Sequence, residues 1–516
     1  MAAKLFKSTL VTGGMTIISR ISGFVRDMML ARLVGTTPLA DAFFVAFRIP
    51  NFLRRIFGEG AFSQAFVPVF SGYRVNNNGS EARQFLDNVA GAMTLVLVGV
   101  ALVGVVAAPA VVFVLAPGFL AMPAKYHLTV VMLRITFPYL MFISLVAMSA
   151  GVLNTCGYFA VPAFTPVLLN LSLIGAAWWL APHLEHPVLA LAWGVLIGGA
   201  AQFLFQLPFL LRLGFLPRPR IGFAHEGVKR VFRLMLPAIF GASVAQVNLV
   251  IDTVLASFLK SGSVSWLYYS NRLLEFPLGV FGIALGTVIL PSLSEKHARL
   301  GPNTFSHTID WGLRWVATVT APAAIGLAVL GGPLLSTLFQ YGAFTPYDVT
   351  MTLRSLIAFS VGLPAFVMIK VLAPGYYARQ DTKTPVRIGV IALITNIVFN
   401  LILIWPLAHA GLALATSLSG VLNAGLLLRG LRATGIYRPA PGWWLFLAKV
   451  SAGAALMGAL LYWGAGDLNV WMQRTGAERA LSLSLWVMTG FVVYVTVLWL
   501  LQTRLRLSPE GEGPHV

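Results

Sequence analysis

The sequence has little charge and almost no cysteine. Only 10% of its 516 residues are charged, whereas 58% are hydrophobic, and soluble domains carry about 25% charged residues. This composition excludes a soluble globular domain. The single cysteine, Cys156, excludes an internal disulfide and any metal site built from several thiolates. The chain is therefore expected to lie in a membrane.

Long apolar runs fill most of the chain. A helix needs about 20 apolar residues to cross roughly 30 Å of hydrocarbon. The runs are continuous rather than alternating, which favours helices over a barrel. We therefore predict an all-α integral membrane protein with 14 transmembrane helices. The predicted spans are 8–33, 38–70, 88–116, 127–153, 161–181, 188–212, 231–258, 265–291, 310–332, 349–374, 387–408, 411–432, 443–464 and 481–502.

The net charge of +19 comes from 36 basic and 17 acidic residues, and it is unevenly distributed. Lys and Arg are concentrated in the loops on the side of the two termini, and the opposite loops hold few of them. Basic loops stay in the cytoplasm, so both termini are predicted there. No nucleic-acid-binding motif accompanies these residues, which indicates contact with lipid headgroups rather than nucleic acid.

The two halves of the chain share a weak internal repeat. At a shift near 223 residues, Pro68 matches Pro291, Pro162 matches Pro385, and LALA at 189–192 matches LALA at 412–415. Chance alignment of Leu-rich and Ala-rich helices is the alternative. A real repeat predicts two pseudo-symmetric six-helix lobes and two extra helices, an architecture typical of transporters that rock around a central cavity. The predicted divisions are 1–228, 229–440, 441–505 for the last two helices, and 506–516 for a cytoplasmic tail.

Charged residues inside the apolar spans follow helical stripes. A charge within a span is costly, so it normally faces a water-filled cavity or a partner. Spacings of three, four and seven residues place each set on one helix face. Arg26 and Arg54 lie about 100° from their stripes. The stripes are Thr16, Arg20, Gly23 and Asp27 in span 1; Asp41, Arg48, Arg55 and Glu59 in span 2; and Ser265, Tyr268, Arg272, Glu275 and Gly279 in span 8.

Two interpretations of the arginines remain open. Arg48, Arg54 and Arg55 can lie at a helix end, where they reach headgroups or pair with Glu59. Alternatively, three spans at equivalent places in the two lobes turn their arginines toward a shared aqueous cavity, which requires an anionic cargo. Arginine forms paired hydrogen bonds to phosphate oxygens, so a phosphate is the expected anion.

Four stretches of this sequence resemble the MurJ (MviN) family of bacterial lipid II flippases. They are SRISGFVRD (19–27), DAFFVAFRIPNFLRRIFGEGAFSQAFVPVF (41–70), SGSVSWLYYSNRLLEFPLGVFGIALGTVILPSLS (261–294) and VLAPGYYARQDTKTPV (371–386). The resemblance covers essentially the whole chain. It implies the fold of the MOP exporter superfamily, in which the two extra helices, here 441–505, form a groove for a lipid tail.

The resemblance also implies an activity and a site. The activity is translocation of the undecaprenyl-pyrophosphate-linked peptidoglycan precursor between leaflets of the inner membrane, by alternating access, for cell-wall synthesis. The implied partners are lipid II, membrane phospholipids and the cell-wall synthesis machinery, and the expected state is a monomer. The implied substrate-binding residues are Arg20, Arg26, Arg54, Arg272, Asp41, Ser265 and Glu275. The implied gate or ion-pair residues are Asp27, Arg48, Arg55 and Glu59.

Some members of the family resemble sodium-dependent carriers, which raises the possibility of a Na⁺ coupling ion here. The matching set is Asp252, Asn396, Asn400 and Thr416. One carboxylate with amide and hydroxyl oxygens suits a hard cation, although a carboxylate in place of Asn400 would bind it more strongly. The alternative is that these residues form interhelical hydrogen bonds.

Two other functions compete with the flippase hypothesis. One is export of another lipid-linked glycan or an amphipathic drug by a MOP-superfamily carrier, but drug exporters of that superfamily usually carry twelve helices and favour cations. The other is an integral-membrane enzyme. The sequence contains no HExxH, no DxxD and no plausible catalytic triad, so we do not expect an enzyme or a bound cofactor.

Overall fold

The protein is an all-α membrane protein. A computed structural model describes residues 2–54, 62–75, 79–279 and 301–503, with side chains from residue 13 onward except 238, 240–245 and 301–304. No strand occurs in these ranges. The helices are α1 Ala2–Val34, α2 Pro38–Leu53, α3 Phe62–Val75, α4 Gly79–Val106, α5 Ala108–Leu115, α6 Pro123–Thr136, α7 Tyr139–Thr155, α8 Ala160–Gly175, α9 Leu189–Arg212, α10 Glu226–Ser257, α11 263–279, α12 Gly301–Val329, α13 Gly331–Phe339, α14 Pro346–Tyr377, α15 Lys383–Leu407, α16 His409–Ala433, α17 Trp443–Ala465, α18 Leu468–Gln473 and α19 Gly476–Leu500.

Over the residues that the structure describes, each of the predicted spans coincides with one of these helices or with a consecutive pair. Ten helices within the described ranges are long and apolar enough to cross a membrane, counting α6 and α7 as one. The segments that fall short of this measure include α1, α2 and α11, which carry the polar stripes. Helix α2 has 16 residues, and the described part of α11 covers only residues 263–279, so both are shorter than the roughly 20 residues that cross the hydrocarbon.

Two predicted spans are interrupted within the described ranges. In the second span α2 ends at Leu53 and α3 begins at Phe62, and residues 55–61 between them lie outside those ranges. The third span breaks at Ala107 into α4 and α5, where Pro109 lies in the first turn of α5. The fourth span breaks at residues 137–138, just before α7. Proline at the start of a helix fixes φ and lacks an N–H, which suits such breaks.

Helix packing divides the chain into two compact units. The first comprises Met1–Ser265 with Tyr341–Ala343, and the second comprises Trp266–Gln340 with Phe344–Val516. In the first unit α8 packs on α1 and α9, and α3 packs on α7 and α10; in the second, α16 packs on α14 and α15, and α12 packs on α14 and α17. Thus α10 belongs by packing to the first unit, while the predicted lobe boundary at 228/229 stays a prediction.

Small residues let helices of the second unit approach closely. A Cβ added to Gly420 on α16 would lie 2.4 Å from the Phe366 ring on α14, and one added to Gly458 on α17 would lie 2.5 Å from Ile325 on α12. Lipid tails are as apolar as leucine, so helices in a membrane associate through such close packing and through hydrogen bonds.

A buried carboxylate fastens the start of α17 to α12. Asp310 on α12 accepts hydrogen bonds from the Tyr437 hydroxyl at 2.9 Å, the Ala440 amide at 3.1 Å and the Trp443 indole at 2.6 Å. Arg314 Nε donates to its second oxygen at 2.9 Å. Burial and the neighbouring Asp310 carboxylate raise the pKa of the Tyr437 hydroxyl, which therefore stays protonated and donates.

A buried guanidinium fastens the start of α19 to α18 and α13. Arg479 in α19 donates to the backbone carbonyls of Trp471 at 2.9 Å, Met472 at 2.7 Å and Ser336 at 3.0 Å. These carbonyls lie near the C-termini of α18 and α13, where the helix dipole favours a cation. Together with Asp310, this residue joins α17 and α19 to the rest of the second unit at both ends.

Replacing Asp310 by asparagine is expected to lower the free energy of unfolding by about 3 to 5 kcal/mol, the usual cost of breaking a buried pair. The amide would leave Arg314 without a carboxylate and would turn an N–H₂ group toward donors. The measurement is the unfolding transition in detergent, monitored by tryptophan fluorescence.

The control is Glu185→Gln, which changes the same charge on an exposed residue before α9. It should leave the unfolding midpoint within experimental error of the unchanged protein. Equal midpoints for Asp310→Asn and Glu185→Gln would contradict the structural role assigned to Asp310.

Candidate functional site

Arg26 on α1 is held by two partners. Its Nε and Nη2 donate to Asp27 Oδ1 at 3.0 and 2.6 Å, and its Nη1 donates to Asn170 Oδ1 on α8 at 3.0 Å. Asn170 Nδ2 donates in turn to the Ser19 carbonyl and the Ser22 hydroxyl of α1. The Arg26 side chain is 11% exposed and Asp27 is fully buried. The guanidinium is therefore fixed in orientation and partly neutralised.

Arg20 lies on the same helix in a different setting. It is half-buried, and it forms no ion pair or hydrogen bond with any residue that the structure describes. A cation at this depth in an apolar helix is costly without an anion close by. Arg20 is therefore the α1 arginine whose charge is most available to an external anion.

The second helix carries two predicted site residues with polar partners. Arg54 Nε donates to Asn51 Oδ1 at 3.0 Å. Arg48 Nη1 donates to the Thr253 hydroxyl and, at 3.4 Å, to the Leu249 carbonyl, both on α10. Arg48 thus ties α2 to α10. Two further predicted residues, Arg55 and Glu59, lie outside the described ranges.

Asp41, in the first turn of α2, is the centre of a saturated network. Its Oδ1 accepts from the Ser265 amide at 3.0 Å and the Ser265 hydroxyl at 2.7 Å. Its Oδ2 accepts from Lys125 Nζ at 2.9 Å and the Gly262 amide at 2.7 Å. Asp41 is 1% exposed and Ser265 is fully buried. The network joins α2, the first turn of α6 and the turn between α10 and α11.

Lys125 is a partner that the sequence analysis missed. It is buried and also donates to the Ser261 hydroxyl at 3.1 Å. Its ammonium lies 3.9 Å from the centre of the Phe119 ring, a cation–π contact. A lysine in the first turn of an apolar helix after Pro123 was the available signal. Only the fold reveals that Asp41 lies beside it.

The predicted stripe on α11 carries an ion pair. Arg272 Nη1 donates to Glu275 Oε2 at 3.0 Å, and Asn271 Nδ2 donates to the other Glu275 oxygen at 3.3 Å. The two charged side chains are 28% and 40% exposed. Exposed pairs contribute only about 0 to 1 kcal/mol, so this pair can exchange partners at little cost.

These side chains do not all belong to one unit. Arg20, Arg26, Arg54, Asp41 and Ser265 belong to the first, whereas Arg272 and Glu275 belong to the second. Their convergence on one cavity stays a prediction.

Three of the four predicted sodium ligands form a hydrogen-bonded chain. Asn400 Nδ2 donates to Asn396 Oδ1 at 3.0 Å on α15, and Asn396 Nδ2 donates to Thr416 Oγ1 on α16 at 3.4 Å. Both asparagines are fully buried. Asp252, on α10, belongs to the other unit. Among the described residues no group of three or more His, Cys, Asp or Glu could hold a metal. The oxygens suit Na⁺, but here these residues form one hydrogen bond within α15 and one between α15 and α16.

Comparison with known proteins places this chain in a family. The sequence profile described as "Lipid II flippase MurJ" matches residues 30–476. The chain is 49% identical over 514 residues to the probable lipid II flippase MurJ of Vibrio cholerae, covering 98% of each. It is 42% identical over 503 residues to the lipid II flippase MurJ of Burkholderia cenocepacia, covering 96% of this chain and 97% of the relative.

Solved structures agree with the sequence comparison. A structure described as lipid II flippase MurJ in an inward closed conformation has a TM-score of 0.81 and 26% identity, covering 95% of this chain and 98% of that one. An inward-facing MATE multidrug transporter of the MOP superfamily has a TM-score of 0.63 at 14% identity, covering 83% of this chain and 98% of that one, a likeness of fold alone. The chain therefore belongs to the lipid II flippase MurJ family.

Proposed function

We propose that the protein translocates lipid II, the undecaprenyl-pyrophosphate-linked peptidoglycan precursor, from the cytoplasmic to the periplasmic leaflet of the bacterial inner membrane. The observation that carries this proposal is identity of 49% over 98% of the chain with a probable lipid II flippase. Cytoplasmic termini follow from the distribution of Lys and Arg. The cargo changes leaflet and no covalent bond changes, so the protein is a transporter rather than an enzyme.

The arginines of α1, α2 and α11 bind the pyrophosphate in this proposal. Arg20 has no anionic partner among the described residues, and its full positive charge is therefore available to the pyrophosphate. Arg26 is oriented by Asp27 and Asn170 before the cargo arrives, which lowers the entropy cost of binding. Pyrophosphate carries more negative charge than one carboxylate, so it competes with Asp27 for the guanidinium.

The hydrogen bonds to Asp41 hold the structure closed at the outer end of α2 in this proposal. The predicted topology places the α1–α2 turn, the start of α6 and the α10–α11 turn on the periplasmic side. Asp41 holds these three segments through four hydrogen bonds from buried donors. Release of cargo to the outer leaflet requires these bonds to break together, and their loss requires both Asp41 and Lys125 to find new partners or water. Asp41 and Ser265 thus control opening to the periplasmic side in addition to their predicted role in substrate binding.

The alternative cargo, another lipid-linked glycan or an amphipathic drug, has weaker support. The likeness to the multidrug transporter extends to the fold alone. We extend the proposal to a monomer that binds lipid II and membrane phospholipids and works beside the cell-wall synthesis machinery. Coupling to Na⁺ through Asp252, Asn396, Asn400 and Thr416 is a second proposal, against which stands the hydrogen-bonded chain of the last three residues.

Alanine at Arg20, Arg26, Arg54 or Arg272 is expected to abolish growth when each variant replaces the native flippase of a depleted strain. Each change removes charge-assisted hydrogen bonds worth about 1.5 to 3 kcal/mol, so binding of lipid II to the purified protein should weaken about tenfold or more.

The matched control is Arg429→Ala, an exposed arginine of α16 with no partner among the described residues. It should support growth at an equal level of protein in the membrane. Growth with all four site variants would exclude the arginines as the binding site for pyrophosphate.

Asp41→Asn is expected to destabilise the protein by about 3 to 5 kcal/mol, because it leaves the buried Lys125 ammonium without its carboxylate. Lys125→Met should cost less, about 1.5 to 3 kcal/mol, since Asp41 keeps three donors. A double-mutant cycle by unfolding in detergent measures their coupling. The double variant should cost clearly less than the two single losses combined. Additive losses would show that the two side chains do not act as a pair.

Replacing Na⁺ by K⁺ on both sides of proteoliposomes is expected to leave the lipid II transport rate unchanged, because Asn396 Oδ1 already accepts a hydrogen bond from Asn400 and Thr416 Oγ1 already accepts one from Asn396. Asn400→Asp tests the other possibility, since a carboxylate there would strengthen a sodium site. Two results together would overturn this expectation. The unchanged protein would transport lipid II severalfold more slowly without Na⁺, and the Asn400→Asp variant would respond to lower Na⁺ concentrations than the unchanged protein does.

A further inference from the structure

A hydrocarbon-lined cavity lies within the first unit, apart from the predicted cargo residues of α1 and α11. It has a volume of about 460 Å³ and is enclosed by α2, α5 and α10. Pockets of about 300 to 1,000 Å³ are the size that holds drug-sized ligands. The side chains that matter here are Val45 and Ile49 of α2, Ala110, Val111 and Leu115 of α5, and Val250 of α10.

Both α5 and the segment that follows it contact α10. The break at Ala107 separates α5 from α4, so α5 need not follow the direction of α4. Beyond α5, the Gly118 amide donates to the Ser257 hydroxyl at 3.1 Å. A Cβ on Gly118 would lie 2.2 Å from the Ser257 carbonyl oxygen, so the two backbones touch there. This contact joins the segment after α5 to the C-terminal end of α10.

The polar groups in the wall bond to each other rather than face the cavity. Arg48 Nη1 donates to the Thr253 hydroxyl and the Leu249 carbonyl, and the Thr253 hydroxyl donates to the same carbonyl at 2.6 Å. Thr253 is 2% exposed. The remaining lining is aliphatic or aromatic. A polar ligand finds few bonding partners in such a wall, and an apolar cavity of this kind is not stably filled by water.

The cavity is continuous with the lipid-facing surface of α5. Phe113 and Val114 are 52% and 65% exposed, and Val114 also lines the cavity. The eight residues of α5 are all apolar, and in a membrane protein such exposed side chains face acyl chains. The mouth of the cavity therefore opens into the bilayer.

We infer that this cavity binds the acyl chain of a membrane phospholipid. An empty cavity leaves the side chains of its wall without dispersion partners on one side, and a hydrocarbon chain restores those contacts. Phospholipid is the most abundant hydrocarbon at this surface, so mass action favours it. The acyl chain fills the space between α2 and α10 beside the hydrogen bond from Arg48 to Thr253, and its contacts stabilise the packing of α2 on α10.

The test uses the full-length protein in nanodiscs containing a phospholipid with a diazirine near the end of one acyl chain. After illumination, adducts are mapped by mass spectrometry as the mole fraction of probe is raised. Adducts on Leu115 and Val250 should saturate at a low fraction, as expected for a site. Adducts on Phe113 should rise in proportion to the probe, as expected for bulk lipid. Proportional labelling at all three positions would overturn the inference.

Val111→Trp fills the cavity and should reduce the adducts on Leu115 and Val250 severalfold, while the control Phe113→Trp, which adds bulk on the lipid-facing side, should leave them unchanged. Should Val111→Trp fail to fold, the saturation measurement on the unchanged protein decides the question alone. A parallel experiment uses a diazirine-bearing polyprenyl phosphate. Preferential labelling of Leu115 and Val250 by that probe would replace phospholipid by a polyprenyl chain as the occupant and overturn the inference.

Discussion

A charge buried away from water must be paired, and this constraint organises the structure. Taking an ion from water into a low-dielectric interior costs several kcal/mol even after relaxation. Asp41, Asp310 and Arg479 meet the constraint by saturation, since each is buried and bonded to several donors or acceptors. Each of them adds directional bonds between helices or between a helix and a loop, and such bonds supplement close packing where lipid competes for apolar surfaces.

The candidate cargo residues meet the same constraint incompletely. Arg26 shares Asp27 and Asn170, Arg272 forms a half-exposed pair, and Arg20 has no anionic partner among the described residues. This contrast separates structural charges from those with remaining capacity for an anion. In the function proposed above, the pyrophosphate takes up this remaining capacity, and its binding supplies the negative charge that these arginines lack within the protein.

Sequence patterns predicted the helical class and the position of each span, because runs of about 20 apolar residues have few other structures open to them. They also located the polar stripes on α1, α2 and α11. They did not predict the pairing of Asp41 with Lys125 or of Asp310 with Tyr437, since these residues are 84 and 127 positions apart and only the fold brings them together. The break at Ala107 was missed because α5 is as apolar as the helix before it.

Transport in a defined membrane tests the central claim most directly. Purified protein reconstituted into vesicles with fluorescent lipid II in one leaflet should move the lipid to the other leaflet, where a membrane-impermeant reductant quenches it, faster than protein-free vesicles do. The recovered lipid II should be chemically unchanged. Sodium, proton and voltage gradients are varied independently. Transport no faster than in protein-free vesicles under all of these conditions would contradict a flippase. Recovery of a chemically different product would contradict it too.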